Sequence, residues 1–440
     1  MITIDQSNVD ADLTDFPLLV KITSDSDIST ALSNGYDIRF TSSDGSTLLK
    51  YERESWSGGG GTAVTAVIWV KVPAISGTTN TDIYMYYGKA DATDGQDVTN
   101  VWDSSFKGVW HFKETTGVNN ADSTSNVNTG TPTNGPVQAT GKIDGSLQFD
   151  GVNDSVAISS LAKGQMNIMA SVWVKPARLE MGHYNTVFWE STNVSNVFAR
   201  LVMWIYNDGI VEFGGRIQDD GGFQFRDSVP KLPINTWSHI VGVWNGSSGD
   251  ISIFINGTQV STTGTGVAGQ IANTNPAGVE IGDDFQGDNM GGIIDEPRIS
   301  SIARSAEWIK FEYNNMNASN NELTLASQDI VGLVVPTIAT PTAQSSSSIR
   351  WNFTDNATTE TGFKLYDSAN NLISTNATAD LSYIEETGLS PNTQYSGRYV
   401  KAYNAYGESA SSAVAESVYT ITEPSSTASS TSTSPVTSIK

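Results

Sequence analysis

Cysteine is absent from all 440 residues, which excludes disulfides, thiol nucleophiles and thiolate metal sites. With only 3 histidines, a His-rich catalytic metal centre lacks ligands. Cationic side chains are also scarce, 24 against 47 carboxylates, for a net charge of -23. Such a chain repels phosphate, which argues against nucleic acid and anionic membranes as partners and favours hard, oxygen-bound cations such as Ca²⁺. No apolar run reaches the roughly 18 residues of a spanning helix, so membrane insertion is not expected. Met1 leads directly into Ile2, Thr3 and Ile4 with no secretory leader, and an excised segment of a longer chain is expected.

What is abundant points to one fold class. The 40 glycines, together with Ser-, Thr- and Asn-rich turns between short alternating apolar runs, predict an all-β chain of several β-sandwiches with little helix. The length requires more than one core. We divide it into a small N-terminal sandwich (1–104), a larger sandwich (105–328), a third sandwich (332–422) and a Ser/Thr/Pro-rich linker or stalk (423–440).

Within 105–328 the local signals are specific. Apolar residues on both parities of 237–244 predict a strand covered on both faces. Asn256-Gly257 predicts a two-residue hairpin turn. Alternation through 291–300 places Ile293, Asp295, Pro297 and Ile299 on one face and Ile294, Glu296 and Arg298 on the other. Ser305 opens a helix whose Trp308, Ile309, Phe311 and Glu312 turn back onto the sandwich. The run 322–327, ELTLAS, reads as a return strand completing that sandwich.

The order GVWHFKE, GSLQFDGVNDSVAI, ASVWVKP, TWSHIVGVW, ISIFINGTQV and GGIIDEPRIS-SIARSAEWI closely resembles LamG-like domains of the concanavalin A-like superfamily, implying a jelly-roll sandwich. DLTDFPLLVKI, GYDIRFTSSDG, IWVKVPAI and IYMYYGKADATDG resemble a prokaryotic surface-protein domain of unknown function that often precedes such a domain. Trp351, Leu389 and Tyr395 around PNTQY, with AYNAYGES, resemble an immunoglobulin-like fibronectin type III domain.

Three kinds of site were weighed. Glycoside hydrolases of the sandwich superfamily carry paired carboxylates in an E-x-D-x-x-E strand, and no such run occurs. Alternation separates Asp295 from Glu296, while His111, His183 and His239 sit in apolar strands or isolated loops. No catalytic residue and no enzyme activity are therefore expected. Calcium is expected at the acidic run 280–292, through Asp283, Asp284, Gln286 and Asp288. The resemblance of this loop to that of pentraxins implies that Asn193 or Asn196 completes the shell. A second, structural site would pair Asp122 with Asp295. Glycan binding is expected on the strand face opposite Leu201, Met203 and Ile205, through Arg200, Trp204, Tyr206, Glu212 and Arg216, with Gln224 and Arg226 as a third row. The alternative is that the N-terminal sandwich covers this face.

The expected protein is a non-catalytic recognition or adhesion protein, extracellular or displayed on a cell or virion. It would bind a polysaccharide or glycoprotein with calcium, and surface proteins or further copies of itself are the other partners expected. A structural surface-layer, stalk or fibre component is the alternative, and a polysaccharide-degrading enzyme the weaker one.

Overall fold

The computed structural model describes residues 1–159, 161–179, 184–191, 199–217, 222–264, 266–273, 279–284, 286–317, 322–326, 333–404 and 407–423. The chain is nearly all β and divides into two compact units, Met1–Ala326 and Ser327–Lys440.

The first unit contains two layered pairs of antiparallel sheets. In the N-terminal pair, Leu13–Asp25, Thr62–Ile75 and Tyr51–Gly59 form one sheet. The other runs Leu323–Leu325, Ile2–Ile4, Thr81–Tyr86, Arg39–Thr41 and Leu48–Leu49. The return strand expected at 322–327 exists, but it pairs with Ile2–Ile4, Leu323 opposite Ile4 and Leu325 opposite Ile2. It completes the N-terminal sandwich rather than the central one, because the edge of Ile2–Ile4 would otherwise leave its ladder groups open.

The central sandwich has two eight-stranded sheets. One is centred on Gly291–Ser300, Asn167–Pro176 and Ser238–Asn245. The facing sheet runs through Phe223–Lys231, Ile210–Arg216, Ala199–Ile205 and Asn185–Ser191 to Val279–Ile281. Between them lie Trp110, Leu201, Met203, Phe213, Ile240 and Trp244.

Ser238–Asn245 is covered on both faces. Ile240 and Trp244 point into the sandwich, while Val241 and Val243 join the cluster shared with the N-terminal strands. Asn256 and Gly257 both take positive φ, +51 and +73, as the hairpin turn requires.

The helix Ala306–Met316 starts at Ser305, whose hydroxyl accepts the Trp308 N–H. It packs outward from the central sandwich onto the N-terminal one. Phe16 meets the Trp308 ring at 5.0 Å and the Phe311 ring at 4.9 Å. Asn315 binds the Leu19 N–H at 2.7 Å and its C=O at 3.0 Å. The N-terminal sandwich therefore covers the sheet of Gly291–Ser300, not the face that carries Trp204.

The second unit is a smaller sandwich. Ser348–Thr354 pairs with Tyr383–Thr387, and Gly362–Tyr366 lies between Leu372–Asn376 and Tyr399–Asn404. Trp351, Phe353, Phe363, Leu365 and Val400 fill its core. The Trp351 indole donates to Glu386 at 2.8 Å, and the Tyr395 hydroxyl accepts the Ser390 N–H at 3.0 Å.

Candidate functional site: an aromatic sheet face beside buried carboxyls

Strand register assembles the face. Trp204 lies opposite Glu212, and Glu212 opposite Asp227. In the next row Trp189 lies opposite both Val202 and Glu280, and Arg216 lies opposite Phe223. Since paired positions share a face, these side chains rise from one side of the sheet, away from the core.

Trp204 is stacked on Trp189 with centroids 5.5 Å apart. Tyr184 reaches both Trp204 at 5.4 Å and Tyr206 at 4.8 Å. Trp189 is buried, Trp204, Tyr206 and Phe223 are partly exposed, and Tyr184 is 38% exposed. The indole N–H groups of Trp189 and Trp204 have no acceptor among the described residues. Both N–H groups are themselves buried, so what the face offers is ring surface.

Burial raises its carboxyls. The Tyr206 hydroxyl donates to Glu212, which lies opposite Asp227 in the neighbouring strand. Burial pushes Glu212 up to about 7, with the Asp227 charge adding to it, and burial also raises Asp227. Burial likewise raises Glu280 to about 7. Arg200 and Lys231 are engaged elsewhere, with Glu190 at 3.0 Å and with Asp208 at 2.6 Å, while the Arg216 guanidinium stays on the face, 5.8 Å from the Phe223 ring.

Two expectations from alternation fail here. Arg200 is wholly buried in its ion pair with Glu190, whose other oxygen accepts the N–H groups of Leu161 and Ala162. An irregularity in the pairing at Glu190/Ser191 shifts the parity at that end of the strand, so Arg200 does not join Trp204. Gln224 and Arg226 turn away as well, Gln224 to the Val267 N–H and Arg226 to the Gly266 carbonyl. The third row is instead Phe223, Phe225 and Asp227, which the register with Arg216, Gly214 and Glu212 dictates.

The acidic run lies beside Tyr184. Asp284 is 1% exposed; its Oδ1 accepts the Gln286 N–H at 2.8 Å and the Asp288 N–H at 3.1 Å. Its Oδ2 and the Asn289 Oδ1 are buried without a hydrogen-bond partner. Burial raises the Asp284 carboxyl to about 6, opposed by the two N–H donors and reinforced by Asp288 and Asp283. Asp288 also accepts the Tyr184 N–H at 3.0 Å. Gln286 is exposed. These orphaned oxygens fit a hard cation; Asn289 was not singled out by sequence. Asn193, Asn196 and His183 lie outside the described residues.

Asp122 and Asp295 serve separate loops. Asp122 accepts N–H groups of Val109, Thr124 and Asn128, while Asp295 accepts those of Lys142 and Ile143. They share no hydrogen-bond partner among the described residues.

The expected separation of Asp295 from Glu296 also fails. Glu296 takes φ +51 in mid-strand, and the pairing shifts so that Trp173 faces Asp295 but Ser171 faces Arg298. This bulge sends Asp295, Glu296 and Arg298 all toward the N-terminal sandwich. There Glu296 binds His111 at 2.6 Å and Arg298 at 2.6 Å, and Arg298 reaches Glu312 at 3.1 Å. The Arg298 guanidinium lies 4.4 Å from the Trp69 ring and 4.9 Å from that of Trp102. His111 is 3.3 Å from Glu52 and 3.4 Å from Glu54. Burial works against its charge, but Glu296, Glu54 and Glu52 outweigh it and raise His111 well above 6.5. Burial, with the Arg298 charge adding to it, lowers His239 to about 3, although Glu312 lies 3.9 Å away. Glu54, His111 and Glu296 converge within 4.8 Å, yet Arg298 already supplies the cation.

No curated protein matches the chain. Among solved structures it is similar to domain 4 of an extracellular GH43 arabinanase from Geobacillus stearothermophilus, in complex with arabinotriose. That match has 20% identity, covers 47% of this chain and 97% of the other, and has a TM-score of 0.35. A heptameric SAP-like pentraxin from Limulus polyphemus matches at 16% identity over 39% of this chain and 82% of its own, TM-score 0.31. The sialidase CBM40 of Ruminococcus gnavus bound to α2,3 sialyllactose matches at 16% identity over 33% and 82%, TM-score 0.29. By family, residues 34–129 match DUF2341, a domain of unknown function, and residues 149–310 match Laminin_G_3, the concanavalin A-like lectin/glucanases superfamily.

Proposed function

We propose that this is a non-catalytic extracellular recognition protein whose central sandwich binds a polysaccharide or glycoprotein glycan on the face of Trp204. The observation that carries this is the ring cluster of Tyr184, Trp189, Trp204 and Tyr206 set beside hydrogen-bonding carboxyls. Such rings stack on the apolar side of a pyranose, and neighbouring polar side chains bond its hydroxyls. No E-x-D-x-x-E run of paired carboxylates occurs in the sequence, which supports binding without hydrolysis.

Calcium is proposed at Asp283, Asp284 and Asp288, where it would take up the unused Asp284 oxygen and fix the loop that holds the Tyr184 N–H. The second unit is proposed as a fibronectin type III spacer, on the strength of Trp351 and the Tyr395 corner.

A glycan array with and without chelator tests the reading. Binding by the parent chain, lost at least tenfold in Trp204→Ala, is expected. Absence of binding in both conditions, or undiminished binding by the variant, would overturn it. For calcium at this loop, chelator lowers the melting temperature of the first unit in the parent and leaves that of the first unit in Asp284→Asn unchanged.

A further inference from the structure

The second unit gathers three carboxyl groups that neither the proposed glycan face nor the acidic loop involves. Asp355 and Glu360 come from the loop between Ser348–Thr354 and Gly362–Tyr366. Asp380 comes from the loop between Leu372–Asn376 and Tyr383–Thr387. One oxygen from each lies within 4.8 Å of the others.

The backbone holds them there. Asp355 accepts the Ala357 N–H at 2.9 Å, and Glu360 Oε1 accepts the Asp380 N–H at 3.2 Å, tying the two loops together. Asp380 takes φ +53, a conformation in which Asp and Asn are the best tolerated of the residues with side chains.

Among the described residues of the second unit, no cation is paired with these three carboxyls. The lysines and arginines of 333–423 are Arg350, Lys364, Arg398 and Lys401, and they pair with Glu385, Glu408, Glu386 and Glu408 respectively. Glu360 is only 9% exposed, and its Oε2 is buried with no hydrogen-bond partner. A buried carboxylate oxygen left without a donor is costly, and a bound cation would remove that cost. Asp380 is exposed and gives an ion a route from solvent.

We propose that Asp355, Glu360 and Asp380 form a divalent-cation site that takes Ca²⁺, with water completing the shell. Three oxygen donors of flexible geometry, one of them open to solvent, suit Ca²⁺, which accepts 6–8 oxygens at about 2.3–2.6 Å. The ion would clamp the two loops at one end of the sandwich.

The test counts bound Ca²⁺ by equilibrium dialysis on the full chain, comparing the parent with Asp380→Asn and Asp355→Asn. Both substitutions keep the backbone acceptor and the positive-φ tolerance, so the fold is retained; circular dichroism checks this. Each variant is expected to lose one equivalent of bound Ca²⁺, or to bind it at least tenfold more weakly, while Asp284→Asn leaves that equivalent in place. Glu360→Gln, which can still accept the Asp380 N–H, is expected to behave like the other two. Parent and variants that bind the same number of ions with the same affinity would overturn the proposal, as would a parent that binds none at millimolar Ca²⁺.

Discussion

The two outer faces of the central sandwich are built from similar side chains and solve opposite problems. On the face toward the N-terminal sandwich, Trp69 and Trp102 enclose Arg298, and every carboxylate that meets the guanidinium has a cation to answer it. On the other face Trp189 and Trp204 stack on each other, and burial raises Glu212 against the Tyr206 hydrogen bond that lowers it. Rings and acids with a fixed counter-charge make a permanent joint. Partly exposed rings beside acids raised by burial leave ring surface open.

Breaking the joint should have the largest effect. Arg298→Met strands Glu296 and Glu312 in a buried interface, and a loss of about 3–5 kcal/mol is expected, as when one member of a buried ion pair is removed. Urea unfolding of the first unit, followed by tryptophan fluorescence, measures it. Asn315→Ala comes next. It leaves the Leu19 N–H and C=O without their partner, at a cost of about 1–3 kcal/mol, seen as a lower midpoint in the same titration.

A smaller, pH-dependent effect separates the faces by protonation. Burial raises Glu54 to about 8, against the pull of His111, so the folded state binds its proton more tightly than the unfolded one. The sign is therefore a stability that is complete below about 4.5 and declines as pH rises through about 8. Glu54→Gln should flatten that decline in melting temperature between pH 5 and 8. Glu52 is the opposite case. It is lowered to about 2 because His111 and the Trp102 donor outweigh burial, so its contribution is lost only as acid carries the pH from 4.5 down through about 2.

The smallest change is expected at Glu212→Gln, which mimics the protonated state. Melting should shift by less than about 0.5 kcal/mol equivalent near pH 5 and rise slightly above pH 7. A loss comparable to that of Arg298→Met would erase the distinction between the faces.

Period-two patterning read the strands, the hairpin at Asn256-Gly257 and the helix start at Ser305 from sequence, because each depends on residues adjacent in the chain. Trp204, Tyr206, Glu212 and Arg216 were placed on one face for the same reason. Asp227 and Glu280 were missed because their membership depends on which strand lies next and in what register. Arg200 was misplaced by an irregularity at Glu190/Ser191, and Glu296 by a bulge whose positive φ has no glycine to announce it. The Asp355, Glu360 and Asp380 cluster joins loops 20 or more positions apart, and no local motif marks it.

The pairing of Leu323–Leu325 with Ile2–Ile4 has a mechanical consequence. The Ala326 N–H meets the Met1 carbonyl at 2.9 Å, so a pull applied between these positions opens the antiparallel ladder from its end, one hydrogen-bond pair at a time. That short zip bears the load first, and the central sandwich hangs from it as a side loop, shielded from tension until it parts.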